Sequence, residues 1–414
     1  MAKNEFLEKG IRRIEWAKRH MPVLGKIRER MVKEKVFEGL KVGMALHTEA
    51  KTGVLALAIQ EAGAEVRLTS CNPLSTDDSV AYALKEEYGL VNYAKKGQTS
   101  KQYYDALNKV LDIKPDYLID DGADLIFLVH TKRKELLGKV KGANEETTTG
   151  VMRLRSMAQE GSLRFPVMSV NDAYMKYLFD NRYGTGQSTI DGILTSTNLT
   201  IAGKDFVIAG YGWCGRGIAM RAKGMGADVT ITEVDPIRAI EAKMDGFAVM
   251  PMSEAIKSAD FVVSATGDKD IVTAKDLMVA KDGCVLANSG HFDNEISKAA
   301  LEKMSKKHRP VRESVEEYQL KNGRSVYLLA DGRLVNLAAG QGHPVEIMDM
   351  SFSIQALCLE YLDFSAQTLE PDVYDVPNHI DDMVARLELQ SMGVKIDKLT
   401  KEQQAYVRSW REGT

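Results

Sequence analysis

The stretch from Asp205 to Asp235, DFVIAGYGWCGRGIAMRAKGMGADVTITEVD, constrains this chain more than any other. An apolar run, Phe206 to Ala209, meets a glycine turn, Gly210-Tyr211-Gly212-Trp213-Cys214-Gly215. Helix-compatible sequence then leads to Gly226, and a second apolar run, Val229 to Thr232, ends in Glu233. Strand, turn, helix and strand in that order make a βαβ unit. Gly210 and Gly212 allow a tight turn and close approach of a pyrophosphate, and Gly215 allows the helix to pack on the strand. The helix N-terminus, with Trp213 and Cys214, offers unpaired N–H groups to phosphate oxygens. Glu233 stands where a carboxylate accepts from the adenosine ribose hydroxyls and repels a 2′-phosphate, so the expected cofactor is NAD rather than NADP.

A chain of 414 residues is long enough for two cores. Its 55 Lys and Arg against 58 Asp and Glu, a net charge of −3, leave no basic footprint for nucleic acid. Cys71, Cys214, Cys284 and Cys358 are far apart and form neither a metal-ligand spacing nor a disulfide framework, so no metal is expected. The charged start, MAKNEFLEKGIRRIEWAKRH, lacks the apolar core of a signal peptide, and no run is long enough for a membrane span. The expected location is the cytoplasm.

Before the glycine turn the chain repeats a strand-then-helix rhythm. Strand candidates Leu40–Leu46, Ala64–Ser70 and Tyr117–Asp120 end at His47, at Cys71-Asn72 and at Asp121-Gly122-Ala123-Asp124. A parallel sheet with helices on both faces follows from that rhythm, with its ligand crevice at the carboxyl strand ends where these polar residues stand. Glu145-Glu146-Thr147-Thr148-Thr149-Gly150, taken alone, is also consistent with a capped loop. Lys176 and Asp180, on one helix face, are equally a surface ion pair. The rhythm resumes after Glu233 with Phe247–Met250, Phe261–Ser264 and Cys284–Ala287, the last followed by Asn288 and His291. Residues 324–336 are expected to form a hairpin around Asp331-Gly332, and Val345–Tyr361 a long helix. The expected fold is α/β, two doubly wound parallel-sheet (Rossmann-like) domains with a short C-terminal helical tail. Residues 1–180 and 345–379 would form a substrate-binding domain, 181–344 an NAD-binding domain, and 380–414 an oligomerisation tail.

The segments MPVLGKIRER, HTEAKTGVL, DDGADL, HTKRKELL, EETTTGV, NDAYMKYLFDNRYG, IAGKDFVIAGYGWCGRG, TEVDPIRA, SGHFDNEI and GRLVNLAAGQGHP, in this order, resemble the S-adenosylhomocysteine hydrolase family over nearly the whole chain. The resemblance implies a redox-neutral, reversible hydrolysis of a nucleoside thioether with tightly held NAD. Oxidation of the sugar 3′-hydroxyl acidifies the 4′ hydrogen, homocysteine is eliminated, water adds, and the ketone is reduced again. On that resemblance Lys176 serves the 3′-hydroxyl, made neutral by burial and the cationic nicotinamide. Glu146 and Asp180 surround it and the ribose, and Asn181 lies between substrate and cofactor. His47 and Asp121 share proton transfer at the 4′ and 5′ positions, while His291 and His343 stand near the sugar and the homocysteine. Thr147, Thr148, Thr149, Gly210, Gly212, Trp213, Cys214, Gly215, Glu233, Asn288 and Asn336 hold the cofactor. The partner implied is a small nucleoside thioether, and the assembly a homotetramer.

Three departures from the family pattern matter. Where many members carry HMTVET, this chain has His47-Thr48-Glu49-Ala50-Lys51-Thr52. A carboxylate accepts from adenine's amine, whereas an ammonium only donates. Lys51 thus suits the keto edge of hypoxanthine, as in members that hydrolyse S-inosylhomocysteine, with Glu49 and Thr52 as further substrate-binding candidates. Lys51 donating to adenine's ring nitrogen, or simply pairing with Glu49, keeps S-adenosylhomocysteine as the alternative. Thr185 stands where many members have a cysteine, and the chain is expected to lack the lysine- and tyrosine-bearing extension that caps a neighbour's NAD. A dehydrogenase with net redox change, or a non-catalytic NAD-binding regulator, would share the glycine turn but would not need His47 and Asp121.

Overall fold

The computed structural model describes residues 2–411. Met1 and residues 412–414, the ends of the expected first domain and tail, lie outside the described residues. Two sheets organise the chain. The first contains β1 (Lys41–Ala45), β2 (Glu65–Thr69), β3 (Val91–Asn92), β4 (Tyr117–Asp120), β5 (Gly142–Glu145) and β6 (Val167–Ser169). The second contains β7 (Asp205–Ala209), β8 (Asp228–Thr232), β9 (Ala248–Val249), β10 (Phe261–Ser264), β11 (Cys284–Asn288), β12 (Ser305–Arg312), β13 (Val315–Leu320) and β14 (Ser325–Leu329). A late strand, β15 (Val373–Asp375), returns to the first sheet, whose order is β15-β6-β5-β4-β1-β2-β3, parallel throughout. The second has the order β12-β13-β14-β11-β10-β7-β8-β9, with only its β12-β13-β14 edge antiparallel.

Alternating side chains of these strands feed different cores, which is why their sequences are apolar without a break. Tyr117 and Ile119 of β4 join one cluster while Leu118 joins another; Phe206 and Ile208 of β7 lie opposite Val207 in the same way. Each sheet is therefore covered by helices on both faces, the doubly wound arrangement that the repeating rhythm implied.

The structure corrects several expectations. Asp331-Gly332 does not turn a hairpin: β14 pairs back onto β13 across Asn322-Gly323, with Gly323 at φ +93, and parallel onto β11. Asp331 instead occupies the left-handed region and turns the chain into a short helix, Val335–Ala338. Strands β5, β12, β13 and β15 were not expected. β5, GANE, has no β-branched residue, yet it is buried between β4 and β6, where the side chain of Leu362 packs over Gly142. The long helix runs to Ser365 rather than Tyr361, and Asn378–Ser391 packs against it. From Ser391 to Arg411 every residue is exposed.

Passage between the sheets is continuous helix. Tyr174–Lys176 leads into a π-helix, Tyr177–Gly184, and then into Thr185–Thr197. The expected boundary at residue 181 thus falls inside a π-helical turn, a geometry found most often at functional sites. The start of this segment is capped from far away in the sequence, since Asp381 accepts from the N–H groups of Tyr174 and Met175. Likewise Asp349 accepts from Val23 and Leu24, at 2.8 Å each, and caps the helix that Pro22 begins.

Candidate active site

The glycine turn sits at the carboxyl end of β7. Gly210 has φ +95, and a Cβ there would come within 2.9 Å of the Ala265 carbonyl; one at Gly215 would collide with the carbonyl of Gly210. A Cβ at Gly212 would meet nothing nearer than Arg238, at 3.8 Å, so that position opens onto the crevice. The Glu233 carboxylate accepts from the N–H groups of Tyr211 (2.7 Å), Val234 (2.7 Å) and Asp235 (3.1 Å), and so ties the second strand to the turn. Trp213 packs between Tyr177, at 5.3 Å, and the Arg216 guanidinium, at 4.9 Å. Burial raises the Cys214 thiol above its usual range. The amide oxygen of Asn336 is buried with no partner, although its nitrogen reaches Ser188 and His343 at 3.3 Å each. An open glycine cradle and an unpaired buried acceptor fit a dinucleotide with a carboxamide to bind. Asn288, expected to touch the cofactor, has its amide nitrogen engaged by its own loop. Its amide nitrogen lies within 2.7 to 3.1 Å of the carbonyls of Gly290, Phe292 and Gly332, and shapes the turn that carries His291.

Across the crevice, Lys176 stands at the centre of a buried polar cluster. Its Nζ lies 2.8 Å from Asn181 Oδ1, 3.2 Å from Asp180 Oδ1 and 3.7 Å from Glu146 Oε1. The wider π-helical turn lets residues four and five positions on face the same lysine. His343, from the segment that returns to the first sheet, reaches Asp180 at 3.4 Å and Thr185 at 3.3 Å. Glu146 accepts from Ser351 and Gln355, both at 2.6 Å. Burial pushes the Glu146 carboxyl up to about 7 against the pull of Lys176. Asp180 is held well below the usual carboxylate range: burial opposes this, but Lys176 and His343 outweigh it. Burial disfavours the Lys176 charge, but Asp180 and Glu146 outweigh burial and raise the amine above the usual lysine range.

A second cluster centres on Asp121. His47 Nε2 lies 3.3 Å from Asp121 Oδ2 and His291 Nδ1 3.6 Å from Oδ1, while the Cys71 thiol donates to Oδ2 at 3.4 Å. His47 is backed by Ser75 Oγ at 2.6 Å from Nδ1, and Thr52 donates to its carbonyl at 2.6 Å. Burial holds the His47 imidazole down at about 4, against the attraction of Asp121, so it is a neutral base or hydrogen-bond partner at physiological pH. His47, Asp121 and His291 also lie close enough together to hold a metal ion, a grouping that no ligand spacing in the chain announces.

Glu49 caps the helix Ala50–Glu61 by accepting from Lys51 and Thr52 N–H groups. Lys51 is buried, its Nζ 2.9 Å from Glu49 Oε2 and 3.2 Å from the Gln341 carbonyl. Both residues line a cavity of about 1180 Å³ together with Ser75, Ser188, Gln341 and His343. His343 thus connects the cavity to Asp180. Thr147 precedes the helix Thr148–Gln159, and Thr148 donates to Asn171 at 3.1 Å. Thr149 Oγ1 approaches Gly267 of the opposite sheet's loops.

Sequence reasoning missed Asn171, whose amide oxygen takes Thr148, Asn181 at 3.0 Å and Lys176 at 3.4 Å. It also missed Ser351 and Gln355; polar residues one helical turn apart in the apolar run of Val345–Ser365 were the available signal.

Fold and site together define an NAD-binding α/β enzyme with a ligand crevice between two parallel-sheet units. The description "S-adenosyl-L-homocysteine hydrolase" matches residues 2–137, and "S-adenosyl-L-homocysteine hydrolase, NAD binding domain" matches residues 181–342. The S-inosyl-L-homocysteine hydrolase of Methanocaldococcus jannaschii is 58% identical over 407 residues, 98% of each chain. The adenosylhomocysteinase of Thermoplasma acidophilum is also 58% identical, over 98% of this chain and 99% of its own. A third relative, the S-inosyl-L-homocysteine hydrolase of Methanosarcina mazei, is 55% identical over the full length of both. The chain belongs to the S-adenosyl-L-homocysteine hydrolase family and is an NAD-dependent hydrolase. Among the described residues no helix is long and apolar enough to cross a membrane.

Proposed function

We propose that the protein hydrolyses S-inosyl-L-homocysteine to inosine and L-homocysteine, reversibly and without net redox change. Relatives of both names reach 58% identity, so the nucleobase must be argued from the site. The observation that carries the reading is Lys51, a buried ammonium in the cavity wall. Two of its three N–H groups are matched by Glu49 and the Gln341 carbonyl, and the third is free to donate to the keto oxygen of hypoxanthine. The Glu49 carboxylate beside it favours the second reading, S-adenosyl-L-homocysteine, because it can accept from an exocyclic amine.

Gly210, Gly212, Gly215, Glu233, Asn336 and Thr147 to Thr149 would hold NAD, with Trp213 and Cys214 beside its phosphates. Bound there, NAD supplies reversible oxidation of the ribose 3′ carbon, which makes the neighbouring C–H acidic enough to remove. Lys176 takes and returns the 3′-hydroxyl proton, and Asp180 and Glu146 balance its charge while binding the ribose hydroxyls. Asn181 holds Lys176 in place. Asp121 and His47 move protons at the 4′ carbon and the 5′ sulfur, with His291 closing over them from the opposite sheet. His343 orients Asp180 toward the sugar.

The first-sheet unit is the substrate-binding part in this account. A homotetramer is the proposed assembly; exposed Val234, Ile237, Ile240 and Met244, and the exposed apolar residues between Met392 and Trp410, support self-association. Four unpaired cysteines suit a reducing cytoplasm. Homocysteine release from matched inosyl and adenosyl thioethers tests the base assignment. A larger kcat/KM is expected for the inosyl substrate, and a larger value for the adenosyl substrate removes the assignment.

A further inference from the structure

Directly beneath Asp121 lie two acids that the reaction does not use. β4 and β5 run in register so that Asp120 and Glu145 are side by side at the carboxyl edge of the sheet, and both are completely buried. Glu145 accepts from the N–H groups of Gly122 (2.8 Å), Ala123 (3.0 Å) and Thr147 (2.9 Å), while Asp120 accepts from those of Asp121 and Ile126, both at 2.9 Å. Gly122 and Ala123 both have positive φ, +96 and +63. Successive N–H groups in such a turn form a concave anion site, and here the anion is the chain's own carboxylate. An alanine in the left-handed region is held against its steric preference.

Packing alone would not place two acids here. Burial and the charges of Asp124 and Asp121 push Asp120 up to about 7, and burial with the charges of Asp120 and Asp121 holds Glu145 well above the usual carboxylate range, with backbone N–H groups opposing both. A pair this unfavourable, wrapped by the loop that carries Asp121, is explained if the loop's shape matters. We infer that Glu145, supported by Asp120, is a positioning residue that aims Asp121 at His47 and His291. Its carboxylate fixes the two residues that follow Asp121 and, through Thr147, joins that loop to the one that carries Glu146. The Lys176 cluster is held separately, by Ser351 and Gln355 through Glu146.

This inference rests on the proposed role of Asp121 in proton transfer at the 4′ carbon, and two half-reactions of the holoenzyme separate the two ideas. With inosine added, reduced nicotinamide reports 3′-oxidation, and uptake of solvent deuterium at C4′ reports proton removal. Glu145→Gln replaces one acceptor oxygen with a donor facing another N–H, and is expected to slow C4′ exchange by about 10²-fold, the cost of an error on the order of 1 Å in placement. Oxidation and bound NAD should stay within about threefold of wild type. Gly150→Ala displaces the same carboxylate without removing it, because the new Cβ would collide with Glu145, and should show the same split if the first variant does not fold. Parallel loss of both half-reactions, or no change in either, overturns the inference. Failure of wild type to perform either step overturns the reading beneath it instead.

Discussion

Lys176→Ala is expected to lower homocysteine release by about 10³-fold, the middle of the range for loss of a general base. The amine is buried among Asp180, Asn181, Asn171 and Glu146, so no water-exposed neighbour can replace it. Because these carboxylates favour the ammonium, base function requires that a cation in the crevice offset them, and the oxidised nicotinamide ring is such a cation. Lys176→Arg separates the two possibilities. A guanidinium keeps the charge but cannot give up its proton, so it should be as inactive as alanine, with formation of reduced nicotinamide on substrate addition lost in both. Arginine activity near wild type would mean that only the charge is needed.

Lys51→Glu is expected to move the ratio of kcat/KM for the inosyl over the adenosyl thioether toward adenine by about 10²-fold. Hydrogen bonds to charged groups are worth about 1.5–3 kcal/mol; the exchange removes one that suits a keto oxygen and creates one that suits an amine. Lys51→Met should lower the inosyl reaction without raising the adenosyl one. The Glu49 cap on the helix Ala50–Glu61 uses backbone N–H groups that neither change removes. An unchanged ratio in Lys51→Glu would mean that this side chain does not read the base.

What could be read from the sequence was local. The glycine turn, the polar residues at strand ends and the His47, Asp121 and Lys176 segments each announce themselves through spacing within a few residues. The helices bring them together because both sheets are wound on both faces. Features set through space were hidden. β5 became a strand because β4 and β6 flank it and Leu362 needs the space over Gly142. The capping of Pro22–Glu34 by Asp349 joins positions 325 and 326 residues apart. The hairpin was misplaced because Asp331-Gly332 and Asn322-Gly323 are both turn formers, and pairing with β13 decided between them. The bonds from the Asn288 amide to the tight Gly290–Phe292 turn were likewise hidden. Asp180 on the same face favours the Lys176 ammonium, and so does Glu146, thirty residues earlier, whose distance no local pattern encodes.

The central claim is that cleavage of the thioether depends on nicotinamide even though the overall reaction is redox-neutral. The most direct test strips the purified protein of NAD, measures homocysteine release from S-inosyl-L-homocysteine, and then restores the cofactor. Release should vanish in the stripped protein and return in proportion to NAD bound. Cleavage at the full rate with no nicotinamide present would contradict the account.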